Sequence, residues 1–257
     1  MNLDRLSNVD RMTDEVDALQ LDEPEELPPD WYVPGGDLVM PLYRYRHPST
    51  GRDDAFVVGR FKLHRPDKHG NTKTFRQAHR CDPRSRCDRC ASGRWHLSKP
   101  DGAAGYLYRL PEVVRGIDAG AEIWSVEGEK DADACAGVGL VATSHHGGAE
   151  KFAIAQAYKL RDARQVILVM DRDGPGALDV IRRYDKLRQV GLLGRALVIV
   201  RAFGPLANKD ASDHLEAGYG PDDFVRRAVA DVRDEARAEA AARPSRSVRV
   251  RRYWGGA

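Results

Sequence analysis

The sequence lacks long hydrophobic runs, has few aromatic residues and carries almost no net charge. No apolar stretch approaches the roughly 20 residues that a helix needs to cross a bilayer. Residues 1–5 do not begin the apolar core of a signal peptide. These absences predict a cytoplasmic protein with no membrane partner. A net charge of +2 on 257 residues gives no global electrostatic reason to bind nucleic acid, so only a local concentration of basic side chains would do so.

Cysteine is also scarce, and the four cysteines do not suggest a disulfide framework. Cys81, Cys87 and Cys90 lie within ten residues of one another. Thiolate and imidazole ligands suit tetrahedral Zn²⁺, and either His79 or His96 would complete a four-ligand knuckle. Because the spacing matches no standard knuckle, free thiols in a surface loop are the alternative. The fourth cysteine, residue 135, falls on the apolar side of a predicted helix and is expected in the core.

Composition divides the chain into four parts. Residues 1–36 combine a short amphipathic helix with an acidic, proline-rich linker. Residues 37–118 are basic and rich in predicted strands, and they contain the cysteine cluster. Residues 119–220 alternate predicted strands and helices. Residues 221–257 are predicted to be a charged helix over 222–243 followed by a basic tail.

The basic part predicts an antiparallel ribbon with strands at 42–46, 55–63 and 72–76. Arginine and lysine are interleaved with tyrosine and phenylalanine along these strands. Such a mixture favours phosphate contacts with bases stacked alongside; the alternative is a solvated antiparallel face. The candidates for nucleic-acid contact are Arg60, Lys62, Lys73 and Arg76.

The alternating part predicts βαβ units, with strands at 121–126, 140–144, 165–171 and 195–203. Such units form a parallel sheet with right-handed crossovers, and ligands bind beyond the carboxyl ends of its strands. Acidic residues follow three of these strands. They are Glu127 and Asp131, Asp171 and Asp173, and Asp210 and Asp213. Clustered carboxylates suit hard divalent cations, and Mg²⁺ is the ion that such sites usually bind when phosphates are the substrate.

These motifs resemble a known family in their order and context. The Glu-Gly turn after one strand, the Asp-x-Asp after a later strand and the acidic patch after the next resemble the TOPRIM domain of primases, topoisomerases and some nucleases. The segment Leu-Tyr-Arg-Leu-Pro-Glu at 107–112 is similar to a segment of bacterial primase cores. Over residues 40–219 the chain therefore resembles bacterial and phage DNA primase catalytic cores. The expected fold class is α/β: a Rossmann-like TOPRIM domain with a parallel sheet, preceded by a small basic β-rich subdomain.

The resemblance implies a nucleotidyltransferase that makes short RNA primers. It implies catalytic roles for Glu127, Asp171 and Asp173, and Mg²⁺ or Mn²⁺ held by all six carboxylates named above. Gly128 and Gly174 each precede a predicted helix N-terminus, where backbone can approach phosphate closely, and Lys130 is a further candidate for nucleotide phosphate. The partners that the resemblance implies are a single-stranded DNA template, ribonucleoside triphosphates and a separate replicative helicase. The usual zinc module, helical bundle and helicase segment are not recognisable in this sequence, so the expected primase is minimal or split.

Alternatives remain open for the function and for two further segments. A TOPRIM nuclease would use the same metal site to activate water, and a non-catalytic accessory protein would only bind nucleic acid. The His-His-Gly-Gly segment at 145–148 faces the same cleft or forms a plain turn. The helix after Asp-x-Asp carries four basic residues that are expected on a solvated face, with contact to nucleic acid as the alternative: Arg182, Arg183, Lys186 and Arg188.

Overall fold

The computed structural model describes residues 31–46, 56–80, 95–100, 102–148, 150–172, 175–205 and 209–243. The predicted N-terminal helix and the basic tail lie outside these ranges, as do Cys81, Cys87, Cys90, Asp173 and Gly174. Within the described ranges, no helix combines the length and apolarity needed to cross a membrane.

The first sheet is antiparallel, with its strands in the order β1-β2-β3-β4. Its strands are β1 Gly36–Tyr45, β2 Phe56–Leu63, β3 Lys73–Arg80 and β4 Trp95–His96. Strand β1 begins earlier than predicted, and its register with β2 shifts between Val39 and Tyr43. Pro41 lies in this interval and cannot donate to the ladder. The proline thus produces an irregularity in the middle of β1. The sequence pattern placed the start of the strand at this irregularity, at residue 42.

The second sheet has the order β6-β5-β7-β8-β9 and contains the four predicted parallel strands. Its strands are β5 Glu122–Val126, β6 Val141–Ser144, β7 Gln165–Met170, β8 Leu197–Arg201 and β9 Val225–Arg227. The helices are α1 Leu110–Asp118, α2 Glu129–Gly137, α3 Ile154–Leu160, α4 Gly176–Gln189, α5 Ala211–Glu216 and α6 Val229–Ala242. The predicted α/β fold class is confirmed.

Two predicted helices are shorter than expected. The helix predicted over 222–243 is wrong in its first part, because Val225–Arg227 pairs antiparallel with the edge strand β8 and Phe224 packs into the core. The helix predicted from residue 149 begins only at Ile154. Glu150 adopts a left-handed conformation with φ of 67°, and its N–H donates to the Asp179 carboxylate instead of continuing a helix.

Two apolar cores enclose the second sheet. Strands β5 and β7 are buried on both faces, as their continuous apolar sequences predict. One face packs against α1, α3, α4 and α6. The other packs against α2, α5 and the aromatic side chains of the first sheet, among them Tyr45 and Phe56. Cys135 is fully buried in this second core, as predicted. The antiparallel sheet is therefore held against the parallel sheet by shared apolar packing.

The strand order places a crevice between β5 and β7. The chain leaves β5 for β6 on one side and then returns to form β7 on the other side. At such a reversal the connections depart in opposite directions, which leaves a gap at the carboxyl ends of the two strands. Glu127 and Asp171 directly follow these strands.

Candidate functional site

The site is built around two carboxyl groups from neighbouring strands. Glu127 follows β5 and Asp171 follows β7, and the two strands run parallel with Ser125 beside Leu168. The two carboxyl groups are close enough for each to influence the pKa of the other. The predicted convergence of these acids at one edge of the sheet is therefore present in the fold.

Two further acids approach from the N-termini of helices. Asp131 lies in the first turn of α2, and its Oδ1 accepts hydrogen bonds from the N–H and the hydroxyl of Ser212, at 3.0 and 2.6 Å. Asp210 caps α5, where its carboxylate accepts from the N–H of Asp213 at 2.8 Å. The Asp213 carboxylate accepts from the N–H of Lys209. Asp213 thus closes the turn that holds Asp210 and does not itself line the cleft.

These acids line one wall of a cleft of about 440 Å³ between the two sheets. Glu127, Asp131, Asp171 and Asp210 contribute carboxylates. The facing wall comes from the antiparallel sheet, chiefly Lys73, Phe75 and Gln77 of β3. Backbone at Gly128, Gly147 and Gly148 completes the lining. An acidic wall therefore faces a basic and aromatic wall across one cavity.

Burial and mutual repulsion make the acidic wall receptive to cations. Burial raises the pKa of Asp171 well above its ordinary value, and the nearby charge of Glu127 adds to the effect. Burial and then the charge of Asp179 raise the pKa of Glu127. Burial, with the charge of Asp131, raises the pKa of Asp210 to about 6. Each carboxyl resists ionisation first because it is buried and then because its neighbours are anionic, and a bound cation would relieve the repulsion.

The prediction that Arg183 lies on a solvated face is wrong. Its side chain is 1% exposed and pairs with Asp179 at 2.7 Å, one helical turn earlier. Its guanidinium donates to the carbonyl oxygens of Ser125 and Val169, at 2.7 and 2.8 Å. Arg183 therefore joins the carboxyl ends of β5 and β7 directly behind the acidic wall. The signal in the sequence is the i, i+4 spacing of Asp179 and Arg183 on the apolar side of α4.

The other basic residues of this helix have various surroundings. Arg182 is half exposed and pairs with Glu150. The Lys186 ammonium donates to the carbonyl oxygen of Phe152 and is part-buried. Arg188 is exposed, as predicted for this face.

Glu129 is a cleft residue that the sequence motifs did not single out. It lines the cleft, and its carboxylate accepts a 2.7 Å hydrogen bond from the Tyr45 hydroxyl of β1. Burial raises the pKa of Glu129. Because Tyr45 is fully buried, this bond fixes the antiparallel sheet to the N-terminus of α2. The acidic sequence around Glu127 contained Glu129, but no local pattern indicated its distant partner.

The histidine-glycine segment contributes backbone, not imidazole, to the cleft. His145 and His146 are buried, and their rings contact the carbonyl oxygens of Gly148 and Ala103, at 3.1 and 2.6 Å. Burial lowers the pKa of His145 to about 4, so this ring is neutral near pH 7. Of the two interpretations left open, cleft-facing backbone at the two glycines agrees with the structure.

The remaining candidate residues are placed as follows. Lys130 pairs with Glu216 at 3.0 Å and does not line the cleft. Arg60 hydrogen-bonds Tyr43, and Lys62 stands directly opposite Lys73 on the neighbouring strand. Arg76 lies beside the cleft in a second cavity.

The zinc prediction falls mostly outside the described residues. His79 and His96 are cross-strand neighbours whose rings stack at 4.9 Å between centroids, and His79 Nδ1 lies 2.8 Å from the carbonyl oxygen of Ser98. The three cysteines are not described, so the zinc knuckle stays a prediction.

The chemistry of the donors in the cleft fits a hard divalent cation, because carboxylate oxygens are the ligands that Mg²⁺ and Mn²⁺ prefer. Across the described ranges, no group of three or more His, Cys, Asp or Glu side chains is already arranged to hold a metal. Cation binding would therefore require the carboxylates of Glu127, Asp171 and Asp210 to draw together.

The structure is similar to catalytic cores of DNA primases, as the sequence motifs predicted. A DNA primase domain from Pseudomonas aeruginosa is 18% identical with a TM-score of 0.40, over 78% of this chain and 56% of that one. The E. coli primase catalytic core is 16% identical with a TM-score of 0.41, over 75% and 60%. The RNA polymerase domain of Mycobacterium tuberculosis primase DnaG is 20% identical with a TM-score of 0.39, over 75% and 62%.

The chain spans less than two thirds of the length of each of these structures. No protein-family model matches the sequence, and no curated protein sequence matches it.

Proposed function

We propose that this chain is a primase-type nucleotidyltransferase, which joins ribonucleotides into a short RNA on a single-stranded DNA template. The observation that carries the proposal is the pair of opposed walls. Five carboxylates lie across one cleft from Lys73, Phe75 and Gln77 of the antiparallel sheet; they belong to Glu127, Glu129, Asp131, Asp171 and Asp210. An acidic wall suits metal-assisted phosphoryl chemistry, and a basic, aromatic wall suits a nucleic-acid strand.

The roles of the chain's own groups follow from their positions. Glu127, whose pKa is raised by burial, would hold the metal or accept the proton of an attacking ribose hydroxyl. The backbone at Gly128 precedes the N-terminus of α2, where phosphate oxygens are favoured. Lys73 would contact a phosphate of the template, and Phe75 would stack on a base.

Mg²⁺ or Mn²⁺, held by Glu127, Asp171 and Asp210, would neutralise charge on the phosphates and favour ionisation of the attacking hydroxyl. Asp131 would orient these ligands through Ser212, which fixes α5 against α2. Asp173, a predicted metal ligand, and Gly174, a predicted phosphate contact, lie outside the described residues.

The test is to incubate the purified chain with single-stranded DNA, Mg²⁺ and labelled ribonucleoside triphosphates. Template-dependent RNA products support the proposal. Shortened DNA without RNA would show the nuclease alternative, in which water replaces the ribose hydroxyl. DNA binding with neither product would show the accessory alternative. Either of the last two results contradicts the proposal.

Matched variants assign the activity to the cleft. Glu127→Gln and Asp171→Asn remove charges that the chemistry requires, and we expect at least a hundredfold loss of product, the order of a general base or metal-ligand defect. Asp162→Asn removes an exposed carboxylate outside the cleft and should leave product unchanged. If all three variants behave alike, the activity does not arise in this cleft.

A further inference from the structure

A second cavity, of about 460 Å³, lies beside the cleft along strand β3. We call it the side pocket, and its lining consists of Trp31, Tyr32, Phe75, Arg76, Gln77, Leu97 and Ser98. Strand β4 pairs with β3 only at His79 and Arg80. Among the described strands, none pairs with the earlier residues of β3 on the β4 side. The side pocket opens along this unpaired edge of β3. Its volume falls in the range of small-molecule sites, roughly 300–1,000 Å³.

The side pocket brings together apolar side chains that would ordinarily be covered. Tyr32, Leu97 and Phe75 are 69%, 56% and 42% exposed. Isolated exposed apolar residues need no explanation, but several around one concave surface indicate a ligand site. The flat faces of tyrosine and phenylalanine suit another aromatic ring better than an aliphatic chain.

Trp31, in the lining of the side pocket, is fixed in place by packing within the protein. Trp31 packs over Gly59, where an added Cβ would come within 2.6 Å of the indole ring. The same indole meets the Phe61 ring edge-on, with centroids 6.3 Å apart. Gly59 thus makes room for Trp31, which holds one side of the side pocket in place. A preformed wall of this kind loses little conformational entropy on binding.

The side pocket carries positive charge and no negative charge. Its lining contains Arg76 and no carboxylate. Phe75 and Gln77 also line the cleft, where Lys73 stands next to them on β3. No ion pair joins Lys73 or Arg76 to a carboxylate of the described part of the chain. A strand with a phosphate backbone would be attracted along this edge, with the guanidinium of Arg76 available for phosphate or for stacking on a base.

We propose that the side pocket holds one unpaired base of the single-stranded DNA template, adjacent to the base that is copied in the cleft. The proposal rests on the proposed function for the identity of the strand. Phe75 and Gln77 form the boundary between the two cavities, so a strand that leaves the side pocket across Phe75 arrives beside the carboxylates. Tyr32 and Leu97 are then template-positioning residues that do not touch the reacting atoms.

The test measures binding without Mg²⁺ or ribonucleotides, so that it does not depend on catalysis. An oligonucleotide of about a dozen nucleotides, within the usual site size, is labelled for fluorescence anisotropy. A series of such oligonucleotides carries one abasic position at successive places. We expect one position at which loss of the base weakens binding about tenfold, the effect of losing one base-aromatic stack. Equal effects at all positions would overturn the proposal.

A double-mutant cycle assigns that position to the side pocket. Tyr32→Ala should weaken binding of the intact oligonucleotide about tenfold, and the sensitive abasic position should then cost nothing more. Tyr158→Ala removes another exposed tyrosine, 54% exposed on α3, and should bind as the unsubstituted protein does. If Tyr32→Ala keeps full affinity, or if the two losses simply add, the base does not occupy the side pocket. Circular dichroism checks that each variant is folded.

The outcomes separate this inference from the proposed function. Primer synthesis with no position-dependent binding would refute the side pocket alone. Position-dependent binding in a protein that makes no RNA would refute the proposed function and leave the base site in place.

Discussion

The guanidinium of Arg183 donates a 2.7 Å hydrogen bond to the carbonyl oxygen of Ser125, two residues before Glu127. A second bond, to the carbonyl oxygen of Val169, ends two residues before Asp171. One buried cation from α4 thus holds the two strand ends that carry the central carboxyl groups. Its charge also lowers the pKa values of both carboxyl groups, which partly offsets the effect of their burial.

Arg183→Met should destabilise the protein strongly. The substitution leaves Asp179 buried without its cation and removes the guanidinium donor from the carbonyl oxygens of Ser125 and Val169. We expect a loss of about 3–5 kcal/mol in the free energy of unfolding, measured by urea denaturation. Arg182→Met is the adjacent control: Arg182 is 47% exposed, and its pair with Glu150 should contribute about 1 kcal/mol or less.

Removing both members of the buried pair tests the reason for this loss. Arg183→Met combined with Asp179→Leu eliminates the uncompensated charge, and much of the lost stability should return. Arg183→Lys should not restore it, because an ammonium cannot reach both carbonyl oxygens and the carboxylate with the geometry of a guanidinium. Equal stability of Arg183→Met and Arg182→Met would show that the buried pair does not hold the strand ends.

Tyr45→Phe should loosen the attachment between the two sheets. The hydroxyl of Tyr45 donates to the Glu129 carboxylate, and hydrogen bonds to charged groups contribute about 1.5–3 kcal/mol. Burial already raises the pKa of Glu129, and losing this bond removes an opposing influence, so the pKa should rise further. The bond favours the ionised carboxylate, so the variant should lose more stability near pH 8 than near pH 5.

Thermal unfolding at these two pH values checks the Tyr45 prediction. The control is Tyr158→Phe, which removes an exposed hydroxyl and should change neither transition. A loss of stability that is independent of pH would mean that Glu129 is not the group that the Tyr45 hydroxyl stabilises.

The acidic wall should make stability depend on pH in the absence of divalent cations. Asp210 has an ordinary pKa near 4 when unfolded and a pKa of about 6 when folded. The folded state therefore binds the proton more tightly, and the free energy of unfolding falls as pH rises from about 4 to about 6, then levels off. The raised pKa values of Glu127 and Asp171 act in the same direction.

Urea denaturation across this pH interval with a chelator present measures the effect. Asp210→Asn keeps the helix cap, because asparagine caps as well as aspartate, and should flatten the curve. Mg²⁺ should raise the stability above pH 6 more in the unsubstituted protein than in this variant. Stability that increases with pH over the interval would contradict the repulsion argument.

Gly176→Ala should distort the site from behind. A Cβ at Gly176, the first residue of α4, would lie 2.2 Å from the Asp171 carbonyl oxygen. Because backbone must move to relieve that contact, we expect a loss of about 1–3 kcal/mol and weaker activity. Gly137→Ala is the matched control at the end of α2, where no atom lies within 4 Å, and it should be neutral or slightly stabilising. Differential scanning calorimetry compares the two variants.

The sequence by itself determined the four parallel strands and the convergence of Glu127 and Asp171 at one edge of their sheet. Strands buried on both faces are continuous apolar runs, and residues that directly follow parallel strands must meet at one edge. Glu127 and Asp171 were predictable for that reason, and Cys135 was predictable from helical spacing. These features depend on neighbours in the sequence, so local patterns could reveal them.

Only the tertiary structure decided what lies around those acids. Arg183 appeared to belong to a solvated face because its charge is usual on a helix surface, yet partners on two distant strands make its burial possible. The strand Val225–Arg227 exists because β8 has a free edge, and Glu129 is fixed by a tyrosine from the other sheet. Pairings between residues so far apart in the sequence produce no periodic pattern that could predict them. Such pairings also bring the antiparallel sheet opposite the carboxylates.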